Sequence, residues 1–114
     1  MLPAKFRLRR PSEFEHVYAL ARPVHSSFFS LRLAKNNVAP LTTRIGIVVS
    51  GKIIRKAQER NTLKRRVRAI LADEMPSIAS GFDVILSVKR EARVASPLEL
   101  TRNLQSLLQR ARLL

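Results

Sequence analysis

The sequence predicts an α+β fold: a small mixed sheet of about four strands packed with three helices. Segments with the alternation of half-buried strands are interleaved with segments of helical period, in the order α-β-β-α-β-α with room for one more short strand. A strand, a helix and a further strand in succession predict some parallel pairing. The 114 residues, 46% of them hydrophobic, suit a single domain over 1–114 with a modest core.

The first predicted element is a short helix. Ser12 and Glu15 have the spacing of a capping box, which predicts a helix that starts near Glu13. Phe14 and Tyr18 stand one helical turn apart and therefore share a face. Such a pair is more often part of a core than a platform for a ligand.

Two strands are predicted next, over 28–33 and 44–50, separated by a turn within 35–40. Apolar side chains form one face of each strand, and polar or small ones alternate with them. These alternating positions include Ser30, Arg32, Val48 and Ser50. On their own, polar residues on an outward strand face need no function.

The most informative segment is the run from Lys56 to Arg68, which predicts a basic helix. Successive helical residues rotate by about 100°, which places five of its polar residues within an arc of roughly 140°. These are Arg60, Asn61, Lys64, Arg65 and Arg68, with Leu63, Val67, Ile70 and Leu71 on the adjacent apolar arc. Crowded cations repel one another, and a polyanion relieves that repulsion. The sequence therefore predicts a phosphate-binding surface on this helix.

The last third of the chain predicts a strand and a final helix. The segment 83–88 is rich in β-branched residues, which favours a strand. Ser96 and Glu99 form a capping box around Pro97 at the first helical position. The leucines that follow at helical spacing predict an amphipathic helix.

The charge balance points to an anionic partner. Lys and Arg number 22 against 8 Asp and Glu, which gives a net charge of +14 at pH 7. There is no Cys, which excludes disulfides, thiolate metal sites and Cys nucleophiles and suits a reducing cytoplasm. No apolar run approaches the roughly 20 residues that span a bilayer, so we expect no membrane association.

A protein active site is not expected. The acidic residues are scattered, apart from Asp73 and Glu74 at a predicted helix end, whereas a catalytic metal needs several convergent carboxylates. His16 and His25 have no acidic partner in a catalytic spacing, and no phosphate loop occurs. We therefore expect no catalytic residue and no metal ligand in this chain.

Several motifs together resemble one known family. The segment 44–50 is followed by Lys56-Ala57 and by Arg60-Asn61-x-x-Lys64-Arg65-x-x-Arg68. This pattern resembles the protein subunit of bacterial ribonuclease P, and the helix signature is specific. The resemblance covers nearly the whole chain, because Arg7-Leu8, Phe14-x-x-x-Tyr18, Phe29-x-Leu31 and Gly81-Phe82-Asp83 also fit the family's pattern.

The resemblance implies a ribonuclease P protein-like α-β sandwich that binds a catalytic RNA and helps it remove 5′ leaders from precursor tRNAs. It implies contacts to the catalytic RNA from Lys52, Lys56, Arg60, Asn61, Lys64, Arg65 and Arg68. It also implies a leader-binding cleft formed by Phe14, Tyr18, Ser30, Arg32, Val48 and Ser50. Mg²⁺, bound mainly by the RNA, is the expected cofactor, and no obligate protein partner is evident.

Two other functions fit a small basic α+β protein. A ribosomal protein or ribosome-assembly factor shares the size and charge, and the RNA that co-purifies with the chain would distinguish it. A DNA-binding regulator fits less well, because the sequence has neither a helix-turn-helix pattern nor a dimerisation seam.

Overall fold

The computed structural model describes residues 2–36 and 42–114 and confirms the predicted α+β class. Its helices are α1 (Pro11–Leu20), α2 (Ala57–Glu74) and α3 (Pro97–Arg110). Its strands are β1 (Val24–His25), β2 (Phe29–Lys35), β3 (Arg44–Val48) and β4 (Phe82–Val88). Short 3₁₀ turns span Ala4–Phe6, Met75–Ser77 and Arg90–Val94. No helix within the described ranges has the length and apolar character needed to cross a bilayer.

The four strands form one mixed sheet in the order β1-β2-β4-β3. Strand β2 pairs antiparallel with both β1 and β4, and β3 pairs parallel with β4 after the connection through α2. The register places Ser30 beside Ser87, and Ser87 beside Val48. It also places Arg44 beside Asp83, four pairs further towards the start of β3. The predicted parallel pairing is confirmed.

Helices cover both faces of the sheet. The larger core lies on one face, where β2 and β4 pack against α2 and α3. It buries Phe29, Leu31, Val84 and Leu86 of the sheet with Leu63, Val67, Leu71, Leu100, Leu104, Leu107 and Leu108 of the helices. A smaller cluster on the opposite face joins α1 to the sheet through Val17, Leu8, Ala34 and Ile85. The apolar arcs predicted for α2 and α3 are the buried ones, with Ile70 half-buried.

The prediction for the start of α1 was wrong. The helix begins at Pro11, whose fixed φ suits the first helical position. Glu13, not Glu15, provides the cap: its Oε1 accepts the backbone N–H of Arg10 at 2.9 Å. At α3 the predicted capping box is confirmed, because Ser96 and Glu99 each accept the other's backbone N–H.

The other boundaries differ by a few residues from the prediction. Strand β2 runs to Lys35, because Ala34 is buried beneath α1 and extends the alternation. Strand β3 ends at Val48, because the backbone at Ser50 turns to accept two N–H groups of the following loop. Of the turn predicted within 35–40, Lys35 belongs to β2, and residues 37–41 lie outside the described residues.

The N-terminal arm, residues 2–10, lies along the outer edge of β3. Leu2 and Leu8 are buried, and the N–H of Leu8 donates to the carbonyl oxygen of Ile45 at 3.1 Å. Arg7 also forms a parallel bridge with Ile45. The arm thus pairs with a strand edge that would otherwise expose its hydrogen-bonding groups.

Candidate nucleic-acid interface

The polar face of α2 projects its cations away from the core, as predicted. Asn61 and Arg65 are exposed, and Lys64 and Arg68 are half-buried. Leu63, Val67 and Leu71 hold the adjacent side of the helix in the core. Because these buried side chains fix the helix in the core, its cationic side chains form a fixed array of positive charge along the helix.

Arg60 differs from the other cations of this helix. Its Nη1 donates to the carbonyl oxygens of Ile54, at 2.9 Å, and Arg55, at 2.8 Å. The side chain therefore fixes the loop that leads into α2 while keeping its charge at the helix start. Gly51 lies close by: a Cβ there would stand 3.5 Å from the Arg60 Nη1.

Lys52 and Lys56 lie in that loop and are exposed. They line an open pocket of about 340 Å³, together with Ile53, Arg55, Glu59, Arg90 and Arg93. The Arg93 Nε donates to the Glu59 Oε2 at 2.9 Å and so ties the 90–94 turn to the start of α2. Sequence reasoning missed Arg90 and Arg93, because nothing local to that segment indicates its contact with α2.

The cleft predicted from the strands is a row of small side chains on the α1 side of the sheet. Ser30, Ser87 and Val48 are adjacent in the register and half-buried. The next row, at Arg32, is the one that α1 begins to cover. Sequence reasoning missed Ser87, although the alternation within the predicted strand 83–88 places it on the same face as Ile85.

Tyr18 and Arg32 form one wall of this cleft. The Arg32 guanidinium carbon lies 5.1 Å from the centre of the Tyr18 ring, a cation–π contact. The Arg32 Nη1 also donates to the Ala21 carbonyl oxygen at 2.9 Å, at the end of α1. Tyr18 remains 46% exposed.

Phe14 and Ser50, the other predicted cleft residues, have structural contacts. Phe14 is half-buried in the α1 cluster and crosses Gly46 so closely that a Cβ there would stand 2.5 Å from the Phe14 Cζ. The Ser50 Oγ accepts the N–H of Lys52 at 3.2 Å and shapes the turn after β3. Of the residues predicted for the cleft, Tyr18, Arg32 and the row of small side chains are therefore the ones without such a packing or turn-forming contact to Gly46 or Lys52.

An ion-pair cluster holds α1 against the sheet. Arg44 donates from Nε and Nη2 to the two carboxylate oxygens of Asp83, at 2.9 and 2.8 Å, and from Nη1 to Glu13. The hydrogen bond to Asp83 raises the pKa of Arg44 despite its partial burial. Burial of Glu13 opposes its ionisation, but backbone N–H donors at Arg10 and Arg9 and the charge of Arg44 hold its pKa below the usual value.

Most acidic side chains have structural partners. Five of the eight are bonded within the chain: Glu13, Glu59, Glu74, Asp83 and Glu99. Among residues 2–36 and 42–114, no three His, Asp or Glu side chains are grouped so that they could hold a metal ion. The five bonded carboxylates serve as caps, ion pairs and hydrogen-bond acceptors.

The fold that carries the basic face and the predicted cleft is similar to that of known proteins. The family model described as Ribonuclease P matches residues 2–112. This chain belongs to the ribonuclease P protein family. The ribonuclease P protein component of Pseudanabaena sp. (strain PCC 6903) is 34% identical over 114 residues, which cover 100% of this chain and 97% of that protein.

Solved structures of ribonuclease P proteins share the fold. The ribonuclease P protein from Thermotoga maritima is 29% identical with a TM-score of 0.80, covering 91% of this chain and 96% of that one. The Staphylococcus aureus ribonuclease P protein is 25% identical with a TM-score of 0.84, covering 95% of this chain and 96% of that one. The chain is therefore a protein component of ribonuclease P, a tRNA-processing ribonuclease. The ribosomal alternative receives no support from these relatives.

Proposed function

We propose that this ribonuclease P protein binds the catalytic RNA through the polar face of α2 and holds the 5′ leader of precursor tRNA in the cleft. The observation that carries the proposal is the anchored array of cations on α2, which residues 49–56 connect to the end of β3, where the small-residue row lies. In this arrangement one protein contacts two RNAs at once and brings the substrate to the catalyst.

The α2 contact is with RNA phosphates. Folded RNA is bound mainly through its backbone and shape, which suits a rigid helix carrying several cations. The proposed contacts are Lys52, Lys56, Arg60, Asn61, Lys64, Arg65 and Arg68. Arg60 contributes from the helix start, where its guanidinium also holds the loop carrying Lys52 and Lys56.

The cleft contact is with a single strand. Single-stranded RNA is commonly bound by a positive groove with an aromatic platform, and a stacked base contributes about 1–3 kcal/mol. Tyr18 offers an exposed ring, Arg32 a cation beside it, and Ser30 and Val48 a floor of small side chains. In the proposed cleft, Phe14 packs behind the wall formed by Tyr18 and Arg32, and Ser50 shapes the turn after β3.

The chemistry of cleavage resides in the RNA, with Mg²⁺ bound mainly by that RNA. The bonded carboxylates support this assignment, because Glu13 and Asp83 are committed to Arg44 and Glu59 to Arg93. The protein contributes cations that reduce the repulsion between two polyanions as they associate. The proposed place of action is the cytoplasm.

Reconstitution tests this function. The purified protein, alone and with a bacterial ribonuclease P RNA, is incubated with precursor tRNA across a Mg²⁺ series. We expect no leader removal by the protein alone. We expect the protein to accelerate removal by the RNA most strongly at low Mg²⁺. Cleavage by the RNA-free protein that disappears on mutating Asp73 or Glu74 would contradict the proposal.

A further inference from the structure

A third cationic surface lies at the N-terminal arm, on side chains that neither the α2 face nor the cleft includes. The arm, the start of α1 and the start of β3 enclose an open pocket of about 530 Å³. It is lined by Ala4, Lys5, Arg7, Arg9, Arg10, Glu13 and Arg44. We call this the arm pocket. Five of its seven lining residues are cationic and one is acidic.

The arm that carries these cations is fixed to the domain. Leu2 is 1% exposed and Leu8 is 5% exposed, so both ends of the arm are anchored in cores. The Arg7 Nε donates to the Leu2 carbonyl oxygen at 2.9 Å, which fastens the arm to itself. Cations held on an ordered segment lose less conformational freedom when they bind a ligand than cations on a loose tail.

The inner part of the arm pocket already holds a carboxylate. Glu13 Oε1 accepts the backbone N–H groups of Arg10, at 2.9 Å, and Arg9, at 3.3 Å, and Oε2 accepts from Arg44. A small free anion would have to displace this side chain. The outer cations are different: Arg9 and Arg10 are exposed, and neither has an ion pair within residues 2–36 and 42–114. A chain of phosphates passing over the pocket would fit this arrangement.

The arm pocket is distinct from the surfaces described above. It contains Arg44, at the beginning of β3, whereas the cleft contains Val48, at the end of that strand. At about 3.3 Å per residue the two positions are roughly 13 Å apart along the strand. The loop to α2 begins beyond Val48. A ligand at the arm pocket therefore makes contacts additional to those of the cleft and the helix.

We propose that the arm pocket binds the phosphodiester backbone of an RNA strand through Arg9, Arg10 and Lys5. The proposal rests on the proposed function, since it adds a third contact to the same assembly. The strand has two possible sources with the same chemistry: the part of the leader that extends beyond the cleft, or a segment of the catalytic RNA.

The test is the double variant Arg9→Gln/Arg10→Gln, which leaves the backbone bonds to Glu13 in place. The matched control is Arg102→Gln/Arg112→Gln, which removes the same charge from one exposed position within α3 and one beyond its end. For each protein we would measure affinity for a bacterial ribonuclease P RNA across a salt series. We would also measure holoenzyme affinity for precursor tRNAs with short and long leaders, and the melting temperature.

The outcomes separate the two sources. Weaker binding of the ribonuclease P RNA, with a salt slope flatter by about one unit or slightly less per lost contact, would support the proposal with the catalytic RNA as ligand. A loss confined to long-leader precursors would support it with the leader as ligand. Unchanged affinities, or losses equal to those of the control, would overturn it. Failure of the unaltered protein to bind either RNA would instead refute the proposed function, and the arm contact with it.

Discussion

The guanidinium carbon of Arg32 lies 5.1 Å from the centre of the Tyr18 ring, and the same guanidinium donates to the Ala21 carbonyl oxygen. One side chain of β2 thus holds both the ring and the end of α1 that carries it. Tyr18 is 46% exposed although it makes this contact. The contact orients the ring without burying it, which suits the role in leader binding that we propose for Tyr18.

Tyr18→Ala should weaken precursor tRNA binding by about 1–3 kcal/mol, the contribution of one stacked base. Mature tRNA has no leader, so its affinity should change little. The melting temperature should stay close to that of the unaltered protein, because the ring is half exposed. Both affinities are measured on the reconstituted holoenzyme, and Leu20→Ala, an exposed apolar residue of the same helix, is the control.

Equal losses of affinity for precursor and mature tRNA would indicate that Tyr18 has a structural role. So would a collapse of the melting temperature, because truncation of a buried aromatic costs about 3–5 kcal/mol of folding stability.

The close approach of Phe14 to Gly46 gives a second prediction. A Cβ at position 46 would stand 2.5 Å from the Phe14 Cζ and 2.7 Å from its Cε1. Gly46→Ala should therefore destabilise the fold by about 1–3 kcal/mol, the usual effect of overpacking. Gly46→Ala should destabilise the Phe14→Leu variant less than it destabilises the unaltered protein, because the smaller leucine side chain leaves space for the added methyl group. Denaturant unfolding of the unaltered protein, the two single variants and the double variant measures the coupling energy between the two positions. Effects of the two substitutions that simply add would contradict the contact.

The capping carboxylate of Glu13 makes part of the folding stability depend on pH. Hydrogen bonds and the charge of Arg44, acting against burial, hold its pKa below the ordinary 4.5. A carboxyl group with a lower pKa in the folded state stabilises the fold above its ordinary pKa, and this contribution is lost as pH falls through the folded value. The stability difference between the unaltered protein and Glu13→Gln should thus be largest near neutral pH and shrink below about 4.5.

Denaturant unfolding at several pH values measures this difference. The exposed Glu99, whose pKa is also lowered by its bonds to Ser96, is present in both proteins and cancels in the comparison. A difference that stays constant, or that grows as the pH falls, would contradict the role assigned to Glu13.

The sequence predicts the elements better than it predicts their contacts. The leucines of α3 and the Ser96–Glu99 box are local patterns, and both are confirmed. The start of α1 was misplaced because two residues compete for the cap: Glu15 has the right spacing from Ser12, but Pro11 and Glu13 satisfy the first turn better.

The parts of the site that sequence could not predict depend on distant segments. Arg93 reaches Glu59 across 34 positions of the chain, and Ser87 joins Ser30 only through the strand register. Arg60 has the right position on the helical wheel, yet its contacts depend on the path of the loop before α2. Helical periodicity identifies a charged face, whereas the partner of each cation follows from the tertiary fold.

The most direct test of the account is the salt dependence of binding between this protein and a bacterial ribonuclease P RNA. We would compare the unaltered chain with Lys64→Gln/Arg65→Gln/Arg68→Gln, whose replaced side chains project from the polar face of α2. The control is a triple exchange of exposed cations outside the three proposed surfaces, Arg22→Gln/Arg102→Gln/Arg112→Gln. We predict weaker binding for the α2 variant, a salt slope flatter by about two to three units, and an unchanged melting temperature. An affinity and a slope equal to those of the control would contradict this prediction.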